Sequence, residues 1–263
     1  MDYFSLNRDT WNLKTGVHIA SDFYNMEAFL EGQNSLNSIE LDLLGNIEGK
    51  SVAHLQCHFG QDSLSMSRMG ADVVGLDLSD VAIDKAKELN DKLGLNAEFV
   101  CGNVYDAEKL LTRKFDTVFT SYGTIGWLPD LDQWAKVIAG LLKPGGEFVF
   151  VEFHPVVWMF DDQFERVSYD YFNTGPIVEE NEGTYADREA SIHTKSVFWN
   201  HGLGEVLNAL LKSGLQLTEF EEFDYSPYDS FLNTEGIEKG KYIIKTLDKK
   251  IPMVYALKAV LPK

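Results

Sequence analysis

The stretch from Ser51 to Leu78, SVAHLQCHFGQDSLSMSRMGADVVGLDL, constrains the fold more than any other part of the chain. Val52, Ala53 and Leu55 make a short apolar run, and the loop Gln56 to Gly60 follows. Leu64, Met66 and Met69 then give roughly helical apolar spacing, before Val73, Val74 and Leu76 resume strand character and Asp77 ends it. Strand, tight loop, helix and strand in that order make half of a nucleotide-binding βαβ unit. In an open parallel sheet the ligand lies beyond the carboxyl ends of the strands, at the switch point. There a tight turn lets backbone N–H groups approach it, and a carboxylate ending the next strand accepts both ribose hydroxyls. Asp77 is placed for that role, about 20 residues after the loop.

The same residues resemble motif I and the following acidic position of the class I S-adenosylmethionine-dependent methyltransferases, whose usual form is Leu-Asp-Leu-Gly-Cys-Gly-x-Gly. Laid on that pattern, Ala53-His54-Leu55-Gln56-Cys57-His58-Phe59-Gly60 keeps the strand, the cysteine and the last glycine, and departs at His54, Gln56 and His58. Glycine reaches positive φ at no steric cost, whereas Gln and His carry side chains into the same space; His tolerates the left-handed region better than most residues. The expectation is a turn that survives, with the Gln56 and His58 side chains beside the cofactor. A second resemblance is Leu141-Leu142-Lys143-Pro144-Gly145-Gly146 before a strand, which class I methyltransferases often show. Its role is structural, since Pro cannot continue the helix and the glycines allow a reversal into the sheet.

The resemblance implies a Rossmann-like α/β fold: a mostly parallel seven-stranded sheet with an antiparallel last strand, helices on both faces, an N-terminal helical cap and an inserted lid. It implies S-adenosyl-L-methionine as cofactor and S-adenosyl-L-homocysteine as product. The cofactor-binding residues it points to are Gln56, Cys57, His58, Gly60, Asp62 and Ser63 in the loop and helix start, with Asp77 and Leu78 after the second strand. Asn103, with Val104 beside it, matches the position that hydrogen-bonds the adenine amino group, although an Asn in a turn serves equally well as a local cap. Ser121 and Tyr122, after the strand FDTVFT, fall at the switch point, where an aromatic face suits a sulfonium.

Along the chain, residues 1–45 are aromatic-rich, with helical segments expected around Asp22 to Glu31 and Ser35 to Leu44. They form either a packed terminal cap or a flap over the cofactor, and the flap makes Trp11, His18 and Tyr24 candidates. Residues 46–155 form the cofactor-binding core. Within it Ser79 caps a helix to about Leu93 that Gly94 ends, Ala97 to Cys101 is a strand, a helix runs from Asp130 to Leu142, and Glu147 to Phe153 is a strand. His154 follows at that strand's carboxyl end and is the first choice of general base if the acceptor needs deprotonation. Trp127 is either a core anchor or a pocket wall.

Residues 156–200 are too long for a plain connection. Val167 to Phe172 and Ile192 to Trp199 suggest antiparallel strands of a substrate lid, with Tyr169, Tyr171, His193 and Trp199 as pocket walls; a surface hairpin or a dimerisation arm is the alternative. Residues 201–263 supply a helix from Gly202 to Ser213, a strand from Leu215 to Phe223, an acidic and aromatic loop, and a last strand from Pro252 to Val260.

Charge narrows the partners. Lys and Arg number 23 against 41 Asp and Glu, a net charge of -18 that repels phosphate backbones. A small-molecule acceptor fits better than a nucleic acid. The two cysteines, Cys57 and Cys101, suit apolar filling in a reducing cytoplasm rather than a disulfide framework, and no spacing suggests zinc. Neither an export signal nor a membrane span is expected, and the assembly is a monomer or homodimer. The functional expectation is a methyltransferase working by in-line displacement on a small molecule. A nicotinamide-dependent oxidoreductase, for which Asp77 would hold the ribose equally well, and a non-catalytic binding module are its rivals.

Overall fold

Alternation along the central strands decides the architecture. On β1 (Ser51–Leu55), Val52 packs to one side of the sheet while Ala53 and Leu55 pack to the other; on β4 (Phe115–Ser121) Phe119 and Val118 divide in the same way. A sheet apolar on both faces needs helices on both. The computed structural model, which describes residues 2–263, has that form. Seven strands run in the order β3-β2-β1-β4-β5-β11-β8, the others being β2 (Asp72–Asp77), β3 (Glu98–Cys101), β5 (Leu142–Phe153), β8 (Gln216–Phe223) and β11 (Val254–Val260). β11 runs antiparallel to both β5 and β8, as the sequence leads one to expect of the last strand.

One face carries α6 (Ala107–Leu110), α7 (Leu131–Leu141) and α8 (Leu203–Lys212), with Trp134, Ile138, Val206 and Leu210 buried against Phe148, Phe150 and Leu257. The other carries α2 (Met26–Leu30), α3 (Ser38–Leu44), α4 (Gln61–Arg68) and α5 (Asp80–Leu93), with Leu64, Met66, Ile83 and Ala86 packed on Val73, Phe99 and Phe119. Each such buried side chain contributes about 1.5–3 kcal/mol relative to exposure. Ser79 caps α5 through the Ala82 amide at 3.0 Å, and Asp130 caps α7 through the Gln133 amide at 2.9 Å.

Four stretches depart from expectation. Residues Tyr3–Ala20 form one long helix, α1, before the 3₁₀ turn Asp22–Tyr24. Its buried positions are Asn7, Thr10, Thr15 and His18, so its inward stripe is polar and gives no apolar period to read. In the insertion the partner of β7 (His193–Phe198) is β6 (Ile177–Glu182), not the alternating segment Val167 to Phe172. That segment makes a single bridge, Val167 to Phe160, because Tyr171 is taken up by the start of α8, its hydroxyl accepting from the Leu203 amide at 3.0 Å. The acidic loop after β8 contains a hairpin, β9 (Thr234–Glu238) with β10 (Lys241–Ile244). The Pro-Gly-Gly reversal lies inside β5 as a bulge: Phe115 pairs with Leu142 and Thr117 with Glu147.

The N-terminal helix and the insertion form one layer. Asn7 pairs with Val197 like a neighbouring strand, donating to its carbonyl at 2.8 Å and accepting from its amide at 3.0 Å, and Thr10 donates to Lys195 O at 2.6 Å. Asn12 fixes the same helix to the start of α5, through Asp80 at 2.8 Å and Ser79 at 2.5 Å. Hence α1 is held across the carboxyl ends of β1 and β2.

Candidate active site

The turn after β1 keeps its shape without two of the usual glycines. Gln56 and His58 both take positive φ, 56° and 51°, and Gly60 follows at 78°. At Gly60 the glycine is obligatory, since a Cβ there would lie 2.6 Å from the Phe99 ring and 3.0 Å from Ala86. The strain at Gln56 and His58 is offset by specific bonds. Gln56 Nε2 donates to Thr124 O at 2.8 Å, and the His58 amide donates to Asp77 Oδ2 at 2.7 Å. The other oxygen of Asp77 accepts from the Ser79 amide at 2.8 Å. Thus Asp77 faces the turn at the end of β2; burial raises its pKa to about 6, with its amide partners pulling the other way.

Above the turn is a roof of rings. His58 Nε2 and His18 Nδ1 are 3.0 Å apart, and Trp11 lies edge-on to His58 and Trp127 with centroids 5.1 and 5.4 Å away. Tyr24 stacks on His18 at 5.3 Å, and its hydroxyl meets that of Tyr185 at 2.5 Å. Burial holds both imidazoles neutral: it lowers His18 to about 3 and His58 well below the ordinary value, with Lys14 acting in the same sense. The Lys14 ammonium sits over the rings of Trp11 and Trp127 at 5.3 and 5.6 Å, and burial lowers its pKa to about 8 against the pull of Glu179.

Beneath the roof, four buried polar atoms have no protein partner: Gln56 Oε1, His58 Nδ1, His18 Nε2 and Tyr122 Oη. Buried polar groups are nearly always paired, since an unpaired one costs about 1–3 kcal/mol. Four together at the switch point, beside Asp77, make a surface of donors and acceptors suited to a polar ligand. Tyr122 stands at φ 39° directly after β4, its amide donating to Val151 O at 2.7 Å. The loop that follows is gripped by Glu152, which takes the amides of Gly123, of Thr124 at 2.7 Å and of Ile125 at 3.3 Å.

Other sequence candidates stand elsewhere. Cys57 turns into the core, its thiol pKa raised by burial and its Sγ donating to His58 O at 3.6 Å, and Ser63 is buried against His54 at 2.7 Å. Asp62, in the first turn of α4, accepts from Ser35 Oγ at 2.6 Å, and burial raises its pKa. Leu78 and Ser121 are half-buried at the ends of their strands. Asn103 accepts from the Tyr105 amide at 3.0 Å as a local cap, and Val104 packs in the core. Trp127 donates to Gly123 O at 2.7 Å while its ring meets Trp11, so it is both loop anchor and wall.

His154, the first choice of general base, is turned toward the sheet edge rather than the switch point. Its Nδ1 accepts from the Val156 amide at 3.2 Å, and Nε2 lies 2.9 Å from Glu222 on the edge strand β8, off the line of a hydrogen bond. Beyond β5 the antiparallel β11 draws the chain toward that edge, the His154 amide donating to Met253 O. Among the pocket walls expected from the insertion, His193 is a surface residue, 79% exposed beside Glu182, and Tyr171 buttresses α8. Tyr169 binds Glu179, the carboxylate that acts on Lys14. Trp199 is buried under α1 against Tyr3, with its amide on Gly126 O at 2.8 Å.

Sequence reasoning missed Lys14, Glu40, Glu152, Tyr185 and Tyr228. Lys14 is three residues from Trp11 on one helix face, and Glu152 is an acid in the apolar run FVFVEF; both carried a readable signal. Only folding brings Tyr185 and Tyr228 to the site. Among the described residues no group of three or more His, Cys, Asp or Glu side chains could hold a metal ion, and no helix is long and apolar enough to cross a membrane.

Comparison with known proteins agrees with this geometry. A family described as "Methyltransferase domain" matches residues 52–146. The ubiquinone biosynthesis O-methyltransferase of Coxiella burnetii is 28% identical over 150 residues, 55% of this chain and 62% of that protein, so the chain spans less than two thirds of the curated relative's length. A S-adenosylmethionine-dependent methyltransferase from Clostridium acetobutylicum superposes over 94% of this chain and 95% of its own, with TM-score 0.59 at 14% identity. Another from Mesorhizobium loti covers 88% and 99%, with TM-score 0.56 at 21% identity. Strand order and matched segment coincide: residues 52–146 match the methyltransferase-domain family, and the chain has the class I S-adenosylmethionine-dependent methyltransferase fold.

Proposed function

We propose that the protein transfers a methyl group from S-adenosyl-L-methionine to a small-molecule acceptor, releasing S-adenosyl-L-homocysteine. The observation that carries this is the convergence of unpartnered buried polar atoms on Gln56, His58, His18 and Tyr122 beside Asp77, at the carboxyl ends of β1, β2 and β4. Asp77 would take the ribose hydroxyls, the amides of the Gln56–Gly60 turn would approach the methionyl part, and Asn103 Nδ2 would meet the adenine edge. The cofactor supplies an electrophilic methyl on a sulfonium, and the Tyr122 ring offers its face to that charge.

The protein's own part is to orient and to exclude water. Placing acceptor and methyl carbon in line supplies about 7–11 kcal/mol without a dedicated acid or base, consistent with His154 standing apart. Residues 1–45 and 156–200 act together as the cover, because α1 is hydrogen-bonded to both β7 and α5. The net charge of -18 favours a small acceptor over a nucleic acid, and two unpaired cysteines suit the cytoplasm, as monomer or homodimer. Calorimetric titration tests the reading: S-adenosylhomocysteine binds and NAD does not. Binding of NAD alone would assign the switch point to hydride chemistry, and binding of neither would leave a non-catalytic module.

A further inference from the structure

Beside the turn lies a group of buried side chains around Glu40, a carboxylate that cofactor binding does not account for. Glu40, on α3, is 0% exposed. Its Oε1 accepts from Asn37 Nδ2 at 3.2 Å, while Oε2 has no hydrogen-bond partner. The Tyr122 hydroxyl lies against Glu40, burial and that carboxyl together raising the phenol's pKa, and Tyr228, whose oxygen accepts from Asn37 at 2.8 Å, meets the Tyr122 ring edge-on at 5.1 Å. Phe23 stacks on Tyr228 at 5.7 Å, and Asp62 is the next carboxylate.

The electrostatics have one sign. The strongest charges acting on Glu40, Tyr122 and Tyr228 are carboxylates and other phenols, with no ammonium or guanidinium among them. Burial, with Asp62 adding to it, raises Glu40 to about 7. A buried carboxylate with one oxygen unpartnered is costly in a folded protein unless something pairs with it. Carboxylates and ring faces together favour a cation and repel an anion. Tyr122 belongs to the switch point as well, so this cluster adjoins the place where the methyl group would be presented.

We propose that this cluster seats a positively charged amine, the methyl acceptor, with Glu40 Oε2 as its counter-ion and proton acceptor. The inference rests on the methyltransferase reading above. The ammonium gives one N–H proton to Oε2, and the freed lone pair forms the N–C bond as the S–C bond breaks, sulfur keeping that electron pair. One proton is released per transfer, through Glu40.

The test is calorimetric titration of the full chain, loaded with S-adenosylhomocysteine, with benzylamine, benzyl alcohol and benzoate at neutral pH. Benzylammonium should bind about tenfold or more tightly than the alcohol, with benzoate weakest. Glu40→Gln should remove that preference, leave S-adenosylhomocysteine affinity unchanged, and raise the thermal midpoint by removing a buried charge. The inference is overturned if alcohol or benzoate matches the amine, or if the preference survives Glu40→Gln. It is overturned too if Glu40→Gln weakens S-adenosylhomocysteine binding, because Glu40 would then hold the cofactor's own ammonium. A wild-type protein that binds S-adenosylhomocysteine but no amine refutes this inference alone; one that binds no S-adenosylhomocysteine refutes the parent reading with it.

Discussion

Replacing Asp77 by Asn separates what this carboxylate does for the fold from what it does for the ligand. Its pKa is raised from 3.8 to about 6, so holding the charge in the folded protein costs about 3 kcal/mol at neutral pH. Because the folded pKa is the higher one, the folded state keeps a proton that the unfolded chain has lost. This group therefore makes stability fall as pH rises from about 4 to about 6, and is level above that. Asn removes the charge but offers one carbonyl to two amides, those of His58 and Ser79 at 2.7 and 2.8 Å, leaving one opposed to an NH₂ group at a cost of about 1–3 kcal/mol. Gain and loss nearly cancel, so the thermal midpoint should move little. Affinity for S-adenosylhomocysteine should fall by about 1.5–3 kcal/mol, or roughly 10- to 150-fold, as a charged hydrogen-bond partner is lost. Ribose hydroxyls favour the ionised form, so wild-type affinity should rise with pH up to about 6 and level off, and in Asp77→Asn that part of the rise should vanish. Calorimetric titration across that range reads both effects. Equal dissociation constants for wild type and variant, with the same pH dependence, would refute the role given to Asp77.

Two further substitutions probe the frame. Gly60→Ala places a Cβ 2.6 Å from the Phe99 ring at φ 78°, and should destabilise the protein by roughly 2–4 kcal/mol, read as a fall in denaturant midpoint. An unchanged midpoint would mean that the turn rearranges freely. His154→Gln, at a side chain turned toward Glu222, should leave the rate of methyl transfer within about threefold, whereas loss of a general base would cost about 10²–10⁴. A drop of the latter size would restore His154 to the site.

The sheet was legible because its signals are local and redundant. Short apolar runs marked β1, β2 and β4, Ser79 and Gly94 bracketed α5, and Asp77 fell where a strand-ending acid belongs. What escaped was encoded in polar burial. Helix α1 turns Asn7, Thr10, Thr15 and His18 inward, and those residues look solvent-facing until β7 supplies partners for Asn7 and Thr10 and the turn after β1 brings His58 to His18. The same logic hid Glu40 and misdirected His154. Glu40 follows Asn37 at capping spacing and looks like a helix-start residue. His154 sits at the carboxyl end of a strand, yet its direction depends on β11, whose pairing forms across a hundred residues.

Local and tertiary signals divide along the molecule as stability and function do. Around the sheet the buried side chains are apolar, and each adds to folding. At the carboxyl ends of β1, β2 and β4 the rule reverses: a turn strained at Gln56 and His58, carboxylates shifted by burial at Asp77 and Glu40, neutralised imidazoles at His18 and His58, and unpartnered polar atoms between them. Each of those features costs the empty fold free energy, and an apolar residue of similar size would cost less. A chain that keeps them together has them compensated when a ligand binds. Ligand binding should therefore stabilise this protein more than its contact area alone would suggest, because pairing the orphaned atoms returns free energy that the empty fold forgoes.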